Sequence, residues 1–276
     1  MTTLAVCSWS LQPDSPAELV HLLEACALDA VQLALDPLSS GQWDEAETVE
    51  RLKSSGIRII SGMMTTAGED YSSLESIRRT GGIRPDSTWQ QNIEAAHRNA
   101  ALAARLGLDL VTFHAGFIPH NRADPEYRTL IDRLSAIVNA FETQGVRVGL
   151  ETGQETAETL LDALDALDRP GVGINFDPAN MILYSMGDPV EALDQLAPRV
   201  LQIHIKDALP AARAGAWGSE VPVGQGSVDW DRFLDIVRDR LPDRNLVIER
   251  EAGNQRVRDV VTAAAHLREH APWVHA

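Results

Sequence analysis

Val172-Gly173-Ile174-Asn175-Phe176-Asp177 and, further along, Leu201-Gln202-Ile203-His204-Ile205-Lys206 are the segments whose reading decides the fold. In both, apolar and polar residues alternate, the period of a strand whose two faces meet different surroundings. Ile174 and Phe176 share one face of the first, and Leu201, Ile203 and Ile205 share one face of the second. The opposite faces carry Asn175 and Asp177, and Gln202, His204 and Lys206. If the apolar faces lie under helices, the polar faces turn inward, and a closed parallel barrel is an architecture with such an interior.

Working outward, six further short apolar or β-branched runs occur: Leu4 to Ser10, Ala30 to Leu35, Ile57 to Met64, Leu110 to His114, Arg147 to Glu151 and Leu246 to Glu249. Between them lie stretches with helical apolar spacing, including Ala17 to Ala27, Trp89 to Leu106, Tyr127 to Thr143, Thr156 to Leu167 and Trp230 to Arg240; Val257 to Leu267 closes the chain. Eight alternations of strand and helix predict an α/β fold, a single (β/α)8 TIM barrel. Helix punctuation agrees: Ser15-Pro16 reads as N-cap and first helical residue, and Gly107 and Gly145 follow helix ends. Two connections are long, Thr65 to Thr88 and Asp207 to Asp229. Long ordered loops in a compact domain usually cover a site.

The 276 residues match the usual size of one such barrel and no linker-like stretch divides them, so residues 1–276 are read as one domain. No run approaches the roughly 20 apolar residues that span a bilayer, and Met1-Thr2-Thr3-Leu4 does not open a signal peptide. A cytoplasmic protein with no membrane partner is expected. Cys7 and Cys26 lack the close spacing of a metal site and are expected to be reduced and buried. A formal net charge of −16 repels polyanions, so no nucleic-acid partner is expected. A homo-oligomer is compatible with an acidic barrel of this size.

In a parallel barrel the C-terminal ends of all strands lie on one face, where active sites of this architecture are built. Four consecutive strands carry metal-ligating residue types there: Glu151, Asp177, His204 and Glu249. Three converging carboxylates raise one another's pKa unless a cation lies among them. Three carboxylates and one imidazole suit one divalent metal ion, Mn²⁺, Mg²⁺ or Co²⁺, with Zn²⁺ within the same donor chemistry. Any one of these residues could instead pair with a Lys or Arg at the rim, but burying all four without a cation is costly.

Leu150-Glu151, Phe176-Asp177-Pro178-Ala179-Asn180, His204-Ile205-Lys206-Asp207, Val221-Pro222-Val223-Gly224-Gln225-Gly226 with Val228-Asp229-Trp230, and Ile248-Glu249 follow one another in that order. Together they make the chain resemble, over nearly its whole length, the xylose isomerase-like TIM barrel family, especially its sugar phosphate isomerases/epimerases and ketose 3-epimerases. The resemblance implies a small-molecule sugar substrate and a metal on Glu151, Asp177, His204 and Glu249, with Glu151 and Glu249 as the catalytic acid/base pair. Two positions depart from it: Gln32 stands where relatives often have a glutamate, and Asn180 where ketose epimerases often have a histidine. Both leave the metal set intact and bear on which sugar is used.

His114, Asn180, Lys206 and Trp217 are the candidate substrate-binding residues: His114 ends the fourth strand with inward parity, and Lys206 could stabilise an oxyanion or pair with Glu249. Trp9 and Trp43 are further candidates for an apolar wall, whereas Trp89, Trp230 and Trp273 read as helix packing. His21, His97, His266, His270 and His275 read as surface residues. Gly224-x-Gly226 follows no strand and opens no βαβ unit, which speaks against a dinucleotide cradle. Arg78, Arg79 and Arg84 are the clustered cations near the first long loop.

A metal bound to adjacent carbonyl and hydroxyl oxygens acidifies the carbon-bound proton between them. Glu151 and Glu249, on strands separated by two others, would face that carbon from opposite sides. The expected activity is therefore a metal-dependent isomerase or epimerase working through an enediolate on a keto sugar or keto polyol. A dehydratase or lyase on a cyclic keto polyol is the alternative. An endonuclease of the same barrel family is a third reading, against which the negative charge speaks.

Overall fold

The computed structural model describes residues 2–213 and 215–274; His275 lies outside them. The strands in chain order are β1 (Leu4–Cys7), β2 (Ala30–Ala34), β3 (Arg58–Met63), β4 (Leu110–Phe113), β5 (Arg147–Glu151), β6 (Val172–Phe176), β7 (Val200–Ile205), β8 (Asp207–Leu209), β9 (Ser219–Val221) and β10 (Asn245–Ile248). Eight of them form a closed barrel in the order β1-β10-β7-β6-β5-β4-β3-β2, every pair parallel. The remaining two, β8 and β9, form an antiparallel hairpin within the connection after β7. The (β/α)8 TIM barrel expected from the alternation is the fold of the chain.

Strand parity sorts the side chains as the sequence suggested. Val6, Val31, Phe113, Leu150, Ile174, Ile203 and Ile248 join one apolar layer between sheet and helices. Ala5, Cys7, Ala30 and Val247 form a separate small cluster. Farther along the same inward parity the residues turn polar: Gln32, Ser61, Thr112, Asn175, Gln202 and His204 are all buried. Register shifts fall between Val31 and Gln32 and between Ile174 and Asn175. Such irregularities re-aim side chains, and both affected residues contact His204.

The first strand is shorter than the run Leu4 to Ser10 suggested, because Ser8–Leu11 forms a helical turn. Ser8 Oγ accepts a hydrogen bond from the Ala34 N–H at 2.9 Å, and Ser10 Oγ accepts one from the Arg250 N–H at 2.8 Å. Hydroxyls thus replace ladder pairing there. Ser15 caps the helix Pro16–Ala25 through the Glu18 N–H, with Pro16 in its first turn. Cys26 lies just past that helix and is buried, as is Cys7; both are free thiols. The connection Thr65 to Thr88 contains a helix, Leu74–Thr80. No helix among the described residues is long and apolar enough to cross a membrane.

Candidate metal centre

Glu151 ends β5, Asp177 follows β6, His204 lies in β7 and Glu249 follows β10, so the barrel brings all four to one point. One ligating atom from each lies within 4.8 Å of all the others, and the four residues are buried. Asp177 is divided between two tasks. Its Oδ1 caps the helix Pro178–Tyr184 by accepting from the Asn180 N–H at 2.9 Å. Its Oδ2 is buried and has no hydrogen-bond partner.

His204 is divided in the same way. Nε2 is 2.8 Å from Gln32 Oε1, an acceptor that holds the proton on that nitrogen, and Asn175 Nδ2 flanks it at 3.0 Å. Gln32 is fixed in turn, donating to Thr112 Oγ1 at 2.8 Å. Nδ1 is buried without a hydrogen bond, 3.5 Å from Glu151 Oε1, 3.7 Å from Asp177 Oδ2 and 3.3 Å from Glu249 Oε2. These are distances of electrostatic attraction rather than good hydrogen bonds. An imidazole nitrogen and a carboxylate oxygen, both unpartnered and facing one another, are what a coordination site leaves when only its protein atoms are considered. The donor set therefore fits a divalent cation.

The two glutamates are held from opposite directions. Glu249 Oε1 accepts from Trp9 Nε1 at 2.7 Å and its Oε2 from Lys206 Nζ at 2.8 Å. Glu151 Oε1 accepts from Asn180 Nδ2 at 3.0 Å and faces His114 Nε2 at 3.3 Å, while its Oε2 accepts from Asn175 Nδ2 at 3.3 Å. Burial alone would raise the Glu151 pKa, but His114 and His204 outweigh it and hold it at about 2. Burial likewise opposes ionisation of Glu249, and Lys206 and His204 nevertheless hold it well below the usual range. Asp177 goes the other way, raised chiefly by burial. Burial disfavours a charged His114, but Glu151 overrides it and lifts the pKa to about 10.

Lys206 is buried, and its ammonium meets Asn180 Oδ1 at 3.2 Å and Glu251 Oε2 at 2.5 Å besides Glu249. Beyond these residues opens a cavity of about 540 Å³ lined by His114, Asn180, Trp9 and Trp217 among others. The candidate substrate-binding residues thus gather here, three at the wall and Lys206 bonded to Asn180. Trp217 packs edge-on against Tyr184, with ring centres 4.9 Å apart.

The connection carrying Trp217 is pinned by Asp207. Its Oδ2 accepts from the N–H groups of Gly224 and Gly226 and from Trp230 Nε1, each at 3.0 Å, and its Oδ1 from those of Ala208 and Val228. A Cβ on Gly226 would sit 2.0 Å from Asp207 Oδ1, so only glycine fits. The GxG amides are thus occupied by a carboxylate of the chain itself.

Three expectations are corrected. Trp43 does not wall the cavity: it is 7% exposed and packs in the layer between sheet and helices. His266 is half-buried rather than superficial, stacked on His270 with ring centres 4.3 Å apart and edge-on to Trp230. Trp230 does more than pack, since it donates to Asp207. Glu251, the contacts of Asn175 and the support Gln32 gives His204 were not anticipated; Asn175 had the inward parity of Asp177, and Glu251 lies two residues beyond Glu249.

The model of the xylose isomerase-like TIM barrel family matches residues 20–270, and the chain belongs to that family. Its fold is similar to the crystal structure of a xylose isomerase domain protein from Planctomyces limnophilus, at 28% identity and a TM-score of 0.86, over 98% of this chain and 96% of that one. It is similar to the 3-oxo-isoapionate decarboxylase of Pectobacterium atrosepticum, 31% identical over 120 residues, 42% of this chain and 43% of the relative. It is also similar to a probable L-ribulose-5-phosphate 3-epimerase of Mycoplasma pneumoniae, 23% identical over 198 residues, 68% of this chain and 61% of the relative. The chain therefore spans less than half the length of the decarboxylase and less than two thirds of the epimerase. Members similar to this chain include epimerases, a decarboxylase and a dehydratase.

Proposed function

We propose that this member of the xylose isomerase-like TIM barrel family is a metal-dependent isomerase or epimerase acting on a keto sugar or keto polyol through an enediolate. The observation that carries the reading is the pair of buried atoms without a hydrogen bond, Asp177 Oδ2 and His204 Nδ1, among four side chains of ligating type. Glu151, Asp177, His204 and Glu249 would hold one divalent ion, with Mn²⁺, Mg²⁺ or Co²⁺ favoured by the oxygen-rich set and Zn²⁺ admissible. When bound, such an ion polarises a carbonyl and its neighbouring hydroxyl and acidifies the hydrogen on the carbon between them.

The chain's own residues supply the proton transfer. Glu151 and Glu249 stand at strands separated by two others, one on either side of Asp177 and His204 in the strand order. One removes the proton and the other returns it. Trp9 and Lys206 fix the orientation of Glu249, and Asn180 and Asn175 that of Glu151. Return to the opposite face gives an epimer; return to the neighbouring carbon gives an isomer. His114, Asn180 and Lys206 offer donors to substrate oxygens, and Trp217 offers an apolar wall. The dehydratase among the relatives favours a second reading, in which the same proton abstraction is followed by departure of a β-hydroxyl, protonated by the other carboxyl, as water.

The test is incubation of metal-loaded protein with ketoses in D₂O. Deuterium should enter at one carbon beside the carbonyl, and a chelator should stop it. Product formed without solvent deuterium and without internal transfer would rule the mechanism out.

A further inference from the structure

The cavity above the candidate centre has an uneven lining. Trp9, Met63, Met64, Tyr71, Leu183 and Trp217 give it an apolar wall, its carboxylates are Glu69, Glu220 and Glu251, and its basic member His114 is paired with Glu151 at 3.3 Å. Among the described residues, no lysine or arginine lines it. The neighbouring cations are already engaged. The Lys206 ammonium meets Asn180, Glu249 and Glu251, which matches its three protons. Arg250 is bonded to Glu220 at 2.7 Å and Asp259 at 2.9 Å. Arg79 and Arg84 border a separate cavity, where Arg84 pairs with Glu126, and Arg78 lies over the Phe117 ring.

Glu69 is the informative member of the rim. Its Oε1 accepts from Thr66 Oγ1 at 2.7 Å and from the Gly82 N–H at 2.9 Å, and its Oε2 accepts from Tyr71 OH at 3.0 Å. These donors fix the carboxylate in place, and among the described residues no Lys or Arg is bonded to it. A phosphate or carboxylate entering the mouth would meet this charge, and the cationic groups beside it, His114 and Lys206, are already paired with Glu151 and Glu249. Hydrogen-bonding capacity, by contrast, is free: Trp217 Nε1 and His114 Nδ1 are buried with no hydrogen-bond partner among the described residues, and both residues line the cavity.

We infer that the part of the substrate lying in the mouth is uncharged: a free keto polyol that sets a C–H face against the tryptophans, not an ester carrying a terminal phosphate. This rests on the reading that Glu151, Asp177, His204 and Glu249 form the reaction centre. It separates this chain's substrate from that named for the ribulose-phosphate epimerase among its relatives.

The experiment uses the full, metal-loaded chain with D-fructose and L-ribulose, each beside its terminal phosphate ester, and reads solvent deuterium uptake as kcat/KM. The free ketose should exceed its ester at least tenfold, and Glu69→Lys should narrow that gap. A preference for the ester, or a gap unmoved by Glu69→Lys, overturns the uncharged mouth while leaving the enediolate reading standing. If no ketose exchanges, the reaction reading fails, and the mouth is judged by fluorescence quenching at constant ionic strength. The part of the emission lost in Trp217→Phe should be quenched at least fivefold less by iodide than by neutral acrylamide, and Glu69→Gln should reduce the difference. Equal quenching by both in the unaltered protein overturns the proposal.

Discussion

On the Nε2 side of His204 the buried polar groups form a connected set. Gln32 links the ring to Thr112, Asn175 links Glu151 to Gln202, and Gln202 Oε1 accepts from Ser61 Oγ at 2.7 Å. On the Nδ1 side, a few ångströms away across the same ring, Nδ1 and Asp177 Oδ2 have no hydrogen-bond partner among the described residues, although the Lys206 ammonium lies 3.6 Å from Asp177 Oδ2. An unsatisfied buried polar group costs about 1–3 kcal/mol. The contrast separates scaffold from candidate reaction centre: one half of the barrel interior is hydrogen-bonded as folded, and the other half would be completed by the proposed ion.

The sharpest way to break this comparison is to alter the glutamates on the incomplete side. Glu151→Gln or Glu249→Gln keeps the shape and removes the base, so turnover and solvent exchange should fall by about 10³-fold or more. Metal content of each variant must be measured alongside, because both residues are candidate ligands. A variant that keeps its metal and exchanges at the wild-type rate would sink the acid/base assignment.

Metal removal comes next. An ion at about 100 times its Kd should stabilise the fold by about 2.7 kcal/mol, visible as a Tm that falls with chelator and returns on reloading. Without metal, burial opposes a charged His204, but the nearby carboxylates of Glu249 and Glu151 raise its pKa well above the ordinary value. Because coordination needs a free Nδ1 lone pair, binding at neutral pH should release a proton. Apparent affinity should then rise about tenfold per pH unit until the pH passes the raised pKa. For the metal-free fold the sign is opposite: the stabilisation from a raised His204 pKa is complete below about pH 6.5 and fades as pH climbs through the folded value. Titration calorimetry in buffers of different ionisation enthalpy counts the protons, and no release would contradict ligation through His204.

Gln32→Leu tests whether the two sides communicate. It leaves the His204 Nε2–H facing carbon, at a cost of about 1–3 kcal/mol, and should weaken metal affinity by about 10–100-fold. Unchanged affinity would make the halves independent. Ser61→Ala carries the smallest effect, about 1 kcal/mol in a denaturant midpoint with metal affinity untouched, since Ser61 reaches His204 only through Gln202 and Asn175.

Asp177 and His204 were legible in the sequence because their parity along apolar strands fixes the face on which they lie, and Glu151 and Glu249 because their strands end there. Gln32 was legible as an inward neutral residue, but its partner is 172 positions away, beyond any local pattern. The early end of β1 depends on hydroxyl contacts to Ala34 and Arg250, which no reading of Leu4 to Ser10 contains. Trp43 misled because a tryptophan in a connection has no period to say whether it meets the mouth or the layer beneath the helices. The hairpin β8–β9 was hidden inside a long loop: what organises it is the convergence of separate backbone amides on Asp207, a tertiary event.

The closed strand order gives the two halves of the chain unlike duties. The four proposed ligands come from β5 onward, while Trp9, Gln32, Thr112 and His114, which help to steady them, come from β1 to β4 or the one or two residues just beyond. A break at the turn around Gly145, between the helix Pro125–Glu142 and β5, would leave one fragment with the four proposed ligands and only the braces Asn175, Asn180 and Lys206, and another with the remaining braces alone. Neither piece holds a preorganised pocket for the ion. Tight uptake becomes a property of reassociation, and a metal titration of the mixed fragments would report how completely two separate polypeptides have clasped into one barrel.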